Sequence, residues 1–311
     1  MHKNFWQDFP KPIIGVSPMD GYSDSAFRRL CKAVNPEVIT YTEFTSADGL
    51  FHSAAKVKQK LAFDASEQPI LAQIFGKNRE TFVAAAKLCE DMGFTGVDIN
   101  MGCPSKKVVK SEHGVALRKK EGLAFDLIEA VATATALPVS VKTRLGWGNA
   151  EGLVEFGIGA QNAGANMICI HGRTYVEPYN VPADWNPIYE LKRHLSIPVL
   201  GNGGVEDRAD GLAKLGNLDG FLIGQATFGN PWVFAPDGPP KTFAEKVPLI
   251  LQHAQWMIES KGPEVGAREM RKHLLSYVKA IPGARQYRSQ LANVWTLDDI
   301  TTVLDQILQA G

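Results

Sequence analysis

Eight short β-rich runs recur along the chain at nearly even intervals: 13–19, 38–43, 70–75, 97–101, 139–144, 167–171, 199–203 and 220–224. Most are continuously apolar, as suits parallel strands buried on both faces, and most are followed by helical patterns such as 79–92 and 123–135. An alternation of strand and helix repeated eight times over roughly 235 residues has the count and length of a (β/α)₈ TIM barrel, an α/β fold. A doubly wound sheet would alternate similarly, but no Gly-x-Gly-x-x-Gly opens a helix after a strand.

The texture changes after Phe234. The run Ala-Pro-Asp-Gly-Pro-Pro-Lys241 reads as a linker, strands stop, and helical patterns follow at 246–260, 267–280 and 297–309. The expected organisation is a catalytic barrel over 1–235 and a small all-helical domain over 242–311. With 311 residues, 45% of them hydrophobic, the chain can bury a substantial core.

Four cysteines, Cys31, Cys89, Cys103 and Cys169, are scattered without a Cys-x-x-Cys pair, so neither a zinc site nor a disulfide framework is expected. A reducing, cytoplasmic setting fits. The start, Met-His-Lys-Asn-Phe-Trp, leads into Asp8 and prolines where a signal peptide needs an apolar segment, and no run approaches the roughly 18 apolar residues of a membrane span.

Basic and acidic residues balance at 33 each, which argues against non-specific coating of nucleic acid. Locally the balance breaks: Arg268, Arg271, Lys272, Lys279, Arg285 and Arg288 face only Glu269. That segment is a candidate phosphate-facing surface, although charge alone fits a solvated helix face equally well.

In a (β/α)₈ barrel the active site is built at the C-terminal ends of the strands. Collected there are Pro18, Met19, Asp20, Gln73, Asn100, Cys103, Lys142, Arg144, His171, Asn202, Gly203, Gly204, Gly224 and Gln225. Each alone has a plain structural reading; Cys103 alone reads as a half-buried loop cysteine. Jointly they suggest a flavin. Glycines after the last two strands leave backbone N–H groups for a phosphate, and Lys142 and Gln73 could stabilise a reduced isoalloxazine ring. A mononucleotide, FMN, fits better than a dinucleotide.

The motifs are long and order-specific: Ser-Pro-Met-Asp-Gly-Tyr-Ser-Asp24, Thr42-Glu43, Gln73-Ile-Phe-Gly76, Asp98-Ile-Asn-Met-Gly-Cys-Pro-Ser-Lys-Lys-Val108, Val141-Lys-Thr-Arg-Leu-Gly-Trp147, His171-Gly-Arg-Thr174, Ala183-Asp-Trp185 and Asn202-Gly-Gly204. Together they resemble the tRNA-dihydrouridine synthases, flavoenzymes that reduce selected uridines of tRNA. Arg268-Glu-Met-Arg-Lys-His273 is similar to the basic helical motif of that family's RNA-binding domain, most like the bacterial B-type members.

The resemblance implies FMN as cofactor, tRNA as substrate, NADPH or NADH as reductant, and specific D-loop uridines as targets. It also implies that Pro18, Met19, Asp20, Gln73, Lys142, His171, Asn202, Gly203, Gly204, Gly224 and Gln225 contact FMN. Asn100 and Arg144 would meet the uridine, Cys103 would donate a proton, and Arg271 and Lys272 would hold RNA. One departure stands out: the family usually has Gly-Arg where this chain has Gly224-Gln225, so a neutral amide replaces the guanidinium expected at the phosphate.

The chemistry supports the cysteine's role independently. The uracil 5,6 double bond is conjugated to a carbonyl, so hydride at carbon 6 leaves enolate-like charge that a proton at carbon 5 must quench. A thiol with an ordinary pKa of about 8.5 is a competent acid at neutral pH. The target base must be flipped out of folded tRNA, at a cost that Lys106, Lys107, Lys110 and the basic segment could offset. Two other readings remain open at this stage. One is an FMN barrel acting on a free pyrimidine or small enone, in the manner of dihydroorotate dehydrogenase; the other is a non-catalytic RNA-binding module.

Overall fold

A computed structural model describes residues 5–52 and 55–310. Residues 1–4, where the leader was sought, and residue 311 of the expected helical domain lie outside the described residues. The strands are β1 (Ile13–Val16), β2 (Thr40–Tyr41), β3 (Thr45–Ser46), β4 (Ile70–Phe75), β5 (Gly96–Met101), β6 (Val139–Arg144), β7 (Met167–His171), β8 (Val199–Asn202) and β9 (Gly220–Ile223). All pair in parallel, in the order β1-β9-β8-β7-β6-β5-β4-β2, with β3 also on β4.

The two ends of this path meet. Val16 N–H donates to the Ile39 carbonyl at 3.0 Å, and Ile39 N–H donates to the Ile14 carbonyl at 2.9 Å. Gly15 makes that seam possible, since a Cβ there would fall 2.5 Å from the Ile39 side chain and 2.6 Å from that of Leu222. The result is the expected (β/α)₈ barrel.

The second β-rich run, expected over 38–43, holds only the two-residue β2, and β3 follows beyond its end. Thr42 lies between them, and its hydroxyl accepts the Gln73 N–H at 2.9 Å, so a side chain interrupts the backbone ladder. Between strands lie helices such as Arg79–Asp91, capped by the Asn78 side chain on the Glu80 N–H, and Glu121–Ala134. Trp6, fully buried, packs with Ile13, Ile39, Leu71, Met167, Leu200 and Leu222. Most of these stand in the first half of their strands, so apolar packing fills that end and polar side chains are left to the other.

The chain divides into two compact units. The barrel unit runs to Asp24 and resumes from Glu37 to Gly224; the second unit joins Ser25–Pro36 to the chain from Gln225 onward. The helix Ser25–Val34, read from sequence as part of the barrel segment, thus groups with the C-terminal helices. There, Phe243–Lys261 starts at a capping box of Thr242 and Glu245, and Pro263–Tyr277 follows after Gly262. A Cβ at Gly266 would sit 2.6 Å from the backbone of Ile258, so glycine lets these two helices approach closely. Helices Ala284–Leu291 and Leu297–Ala310 complete the unit. Among the described residues no helix is long and apolar enough to cross a membrane.

Candidate active site at the barrel mouth

Parallel register raises the polar residues in steps around the barrel. Gln73 is level with Asp98 and Ser140, Asn100 with Lys142 and Cys169, and Arg144 with His171 and Asn202. Side chains that are far apart in sequence are thereby stacked toward the C-terminal ends of β4 to β8.

Two hydrogen-bonded hubs result. In the first, Asn100 Oδ1 accepts the backbone N–H groups of Gly102 at 3.2 Å and Cys103 at 3.0 Å, while Asn100 Nδ2 donates to Gln73 Oε1 at 2.9 Å. Gln73 Nε2 donates to Asp98 Oδ2 at 2.6 Å, and the Ser140 hydroxyl donates to Asp98 Oδ1. In the second, Asn202 Nδ2 donates to the Leu222 carbonyl at 2.9 Å, so its Oδ1 faces Lys142 Nζ at 2.9 Å and His171 Nδ1 at 3.0 Å. Arg173 Nη1 lies 3.0 Å from His171 Nε2.

Burial and three cations shape the charges here. Burial pushes Lys142 below its usual range. Burial, with Lys142, Arg144 and Arg173 close by, holds His171 well below the ordinary imidazole value, so the ring is neutral. Burial also raises the Cys103 thiol, against the opposing pull of the Ser105 backbone N–H and the charges of Arg144 and Lys142. Cys103 is half-buried, whereas Cys31, Cys89 and Cys169 are buried. The arrangement therefore offers a protonated, reachable thiol beside a fixed cation.

Arg144 forms the adjoining wall. Its Nε donates to the Gly102 carbonyl at 3.0 Å, Nη1 to the Thr174 carbonyl at 3.0 Å, and Nη2 to the Tyr179 hydroxyl at 3.3 Å. Beyond β6 and β7 the chain stays paired: Tyr175 N–H donates to the Gly146 carbonyl and Val176 N–H to the Trp147 carbonyl. This lip stacks the Trp147 and Tyr175 rings at 4.1 Å between centroids.

Gly203 and Gly204 have φ of 103° and 68°, consecutive positive values that glycine adopts without strain and that leave this stretch of backbone without side chains to cover it. A Cβ at Gly203 would meet His171 Nε2 at 3.1 Å and Ala183 at 3.2 Å. At Gly224 the nearest side chains would be Ser17 at 3.5 Å and Met19 Sδ at 3.8 Å, which brings the end of β9 to the loop after β1. Pro18 and Met19 are half-buried, and exposed Asp20 pairs with Lys60 at 2.7 Å.

The remaining expected residues lie in the second unit. Gln225 is exposed and opens the short turn Gln225–Thr227. Arg271 donates through Nε and Nη2 to the Val294 carbonyl at 2.9 and 2.7 Å and stacks over Trp295 at 4.2 Å, so much of its guanidinium serves its own unit. Lys272 lies 4.0 Å from Glu269. Arg268, Lys279, Arg285 and Arg288 are exposed.

Sequence reasoning passed over four residues at the site. Asp98 and Ser140 were hidden because a polar residue inside a strand carries no signal of which neighbour it meets. Tyr179 lies in a loop without a motif of its own. Gly114, at φ 61°, backs the cysteine loop: Val115 N–H donates to the Cys103 carbonyl at 3.3 Å, and a Cβ on Gly114 would sit 2.9 Å from that oxygen. Among the described residues no group of three or more His, Cys, Asp or Glu side chains could hold a metal ion.

Comparison with known proteins places the chain in one family. The family model described as "Dihydrouridine synthase (Dus)" matches residues 15–310. The chain is 35% identical to a probable tRNA-dihydrouridine synthase 1 of Synechocystis sp. over 95% of this chain and 86% of that protein. It is 31% identical to tRNA-dihydrouridine synthase B of Pseudomonas aeruginosa over 91% of this chain and 89% of that protein. A probable tRNA-dihydrouridine synthase of Mycobacterium tuberculosis is 32% identical over 96% and 83%. Since the match takes in barrel and helical tail alike, the chain belongs to the dihydrouridine synthase family, flavin-dependent oxidoreductases that form dihydrouridine in tRNA.

Proposed function

We propose that this protein reduces specific D-loop uridines of tRNA at the barrel mouth, with Cys103 delivering the proton to carbon 5. The observation that carries the proposal is the half-buried Cys103 thiol, kept protonated by its surroundings and held through its backbone by Asn100.

The family's cofactor is FMN, and the residues present fit it. The backbone of Gly203-Gly204, bare of side chains, leaves room for a phosphate, while Lys142 and Gln73 supply donors to a ring that gains negative charge on reduction. Pro18, Met19, Asp20, His171, Asn202, Gly224 and Gln225 are assigned to the same cofactor. Bound and reduced, FMN supplies the hydride that NADPH or NADH first provides.

The protein's own residues do the rest. Asn100 and Arg144 orient the uracil; Arg144 uses three of its five N–H groups to brace the wall and has two for substrate. The exposed Tyr179 ring beside it gives a flipped base a surface on which to stack. As charge develops at carbon 5, the thiol proton moves to it, and the resulting thiolate is stabilised by the charges of Arg144 and Lys142 until solvent reprotonates it. Lys106, Lys107 and Lys110 lie exposed beside this loop to meet phosphates, and the basic helical segment with Arg271 and Lys272 serves the same end. A tRNA substrate fits a cytoplasmic setting.

Mapping dihydrouridine in tRNA from cells with and without the gene tests the reading. Loss at one or more D-loop positions is expected; an unchanged map, with activity only on free uracil-like compounds, would overturn it.

A further inference from the structure

Asp98 is fully buried, stands on β5 two residues before Asn100, and has no place in the chemistry above. Its two oxygens accept from different strands, Oδ2 from Gln73 on β4 and Oδ1 from Ser140 on β6. Side-chain amides can turn end over end with little change in shape, so their direction must come from groups that hydrogen-bond one way only. Both ends of this chain of bonds are of that kind. The backbone N–H groups of Gly102 and Cys103 can only donate, and an ionised carboxylate can only accept. Between them the directions of Asn100 and Gln73 are fixed.

We propose that Asp98 is a positioning residue: as the buried acceptor for Gln73, it anchors a relay through Gln73 and Asn100 that holds the backbone of Cys103. What the relay needs from position 98 is an oxygen that accepts from Gln73, which a carboxylate supplies whichever way it turns. The groups facing it are Ser140 and Lys142 from β6, Gln73 from β4, Tyr41 from β2 and Cys169 from β7. Of these only Lys142 offers a positive charge. Burial raises the Asp98 carboxyl to about 6, which still leaves it ionised at neutral pH. The relay's catalytic consequence rests on Cys103 being the acid proposed above, whereas the relay itself does not.

The test is the rate at which iodoacetamide alkylates Cys103 in cofactor-free protein, read by mass spectrometry; the other three cysteines are buried. Asp98→Leu removes the acceptor and leaves Gln73 without its anchor, so alkylation should rise about three- to tenfold, the worth of one hydrogen bond. Asp98→Asn keeps an oxygen for Gln73 and should stay within about twofold of the parent. Because the links act in series, Asp98→Leu combined with Gln73→Met should be no faster than Gln73→Met alone.

A parental rate in Asp98→Leu overturns the relay. A rate in Asp98→Asn as high as in Asp98→Leu also overturns it, since charge and not acceptance would then be at work. Should Asp98→Leu fail to fold, Gln73→Met cuts the relay at its next link, and a parental rate there is equally decisive. Turnover of Cys103→Ala tests the acid assignment, so the two ideas fail separately.

Discussion

Lys142 Nζ lies 2.9 Å from Asn202 Oδ1, and this contact decides the tautomer of His171. An ammonium only donates, and the Leu222 carbonyl on the other side of Asn202 only accepts, so the amide cannot be turned round. His171 Nδ1, 3.0 Å from the same Oδ1, must therefore carry the ring proton, which leaves Nε2 to accept from Arg173. Nitrogen-15 NMR of histidine-labelled protein should show His171 neutral and protonated on Nδ1 from about pH 6 to pH 8. A charged ring or the other tautomer in that range would mean that the hub is assembled differently.

Cys103→Ala removes the proton donor and leaves the cofactor residues in place. Uridine reduction should fall about 10²–10⁴-fold, while FMN content and flavin reduction by nicotinamide stay near those of the parent. Because burial raises the thiol, the parental rate should hold through neutrality and decline only above the ordinary thiol range of about 8.5. An alkaline limb below that range would point to a thiolate role instead.

The sequence carried the barrel well because buried parallel strands are short apolar runs and their spacing shows through any detail of packing. It also brought Asn100, Cys103, Lys142, Arg144, His171 and Asn202 to one end of the barrel, since position at a strand's C-terminus is a one-dimensional fact. Pairwise geometry was not legible. Asp98 meets Gln73 only because β4 and β5 are in register, and Ser25–Val34 groups with the C-terminal helices by contacts across some 200 residues of chain. Helix Ala284–Leu291 was missed for a local reason: it is only eight residues long, follows Pro282 and Gly283, and buries only Leu291, so few apolar residues mark it.

Gly114→Ala tests the support behind the cysteine. Alanine at positive φ costs about 1–2 kcal/mol, and its Cβ would press on the Cys103 carbonyl, a backbone atom that cannot rotate away. The variant should melt at lower temperature and lose a larger share of uridine reduction than of FMN binding. Equal losses in both would assign Gly114 to general stability.

The basic segment divides into two kinds of residue. Arg271→Ala removes two hydrogen bonds to the Val294 carbonyl and the stacking on Trp295, so it should destabilise the protein by about 1–3 kcal/mol in urea. Replacing Arg285 and Arg288 with Gln should leave stability unchanged and weaken tRNA binding. The slope of log affinity against log salt should become shallower by about 0.7–0.9 for each phosphate that is no longer neutralised. An unchanged slope would make these side chains a solvated face and leave RNA binding to the lysines beside Cys103.

The buried carboxylate at position 98 has a cost that varies with pH. Its carboxyl sits at about 6 in the folded protein against 3.8 for an ordinary aspartate, because burial disfavours the charged form. Below about pH 4 the group is neutral in both folded and unfolded chains, and burial is not penalised. Between about pH 4 and 6 the unfolded chain releases its proton while the folded chain still holds it, so stability falls across that window and stays at the lower level once the folded group ionises. At about 1.4 kcal/mol per pKa unit the loss approaches 3 kcal/mol by neutral pH. Asp98→Asn cannot ionise and escapes it. Urea unfolding of parent and variant at about pH 4 and pH 7.5 should therefore show the variant gaining about 2–3 kcal/mol relative to the parent over that interval. A constant difference would mean that Asp98 keeps an ordinary pKa, with Lys142 compensating its charge fully.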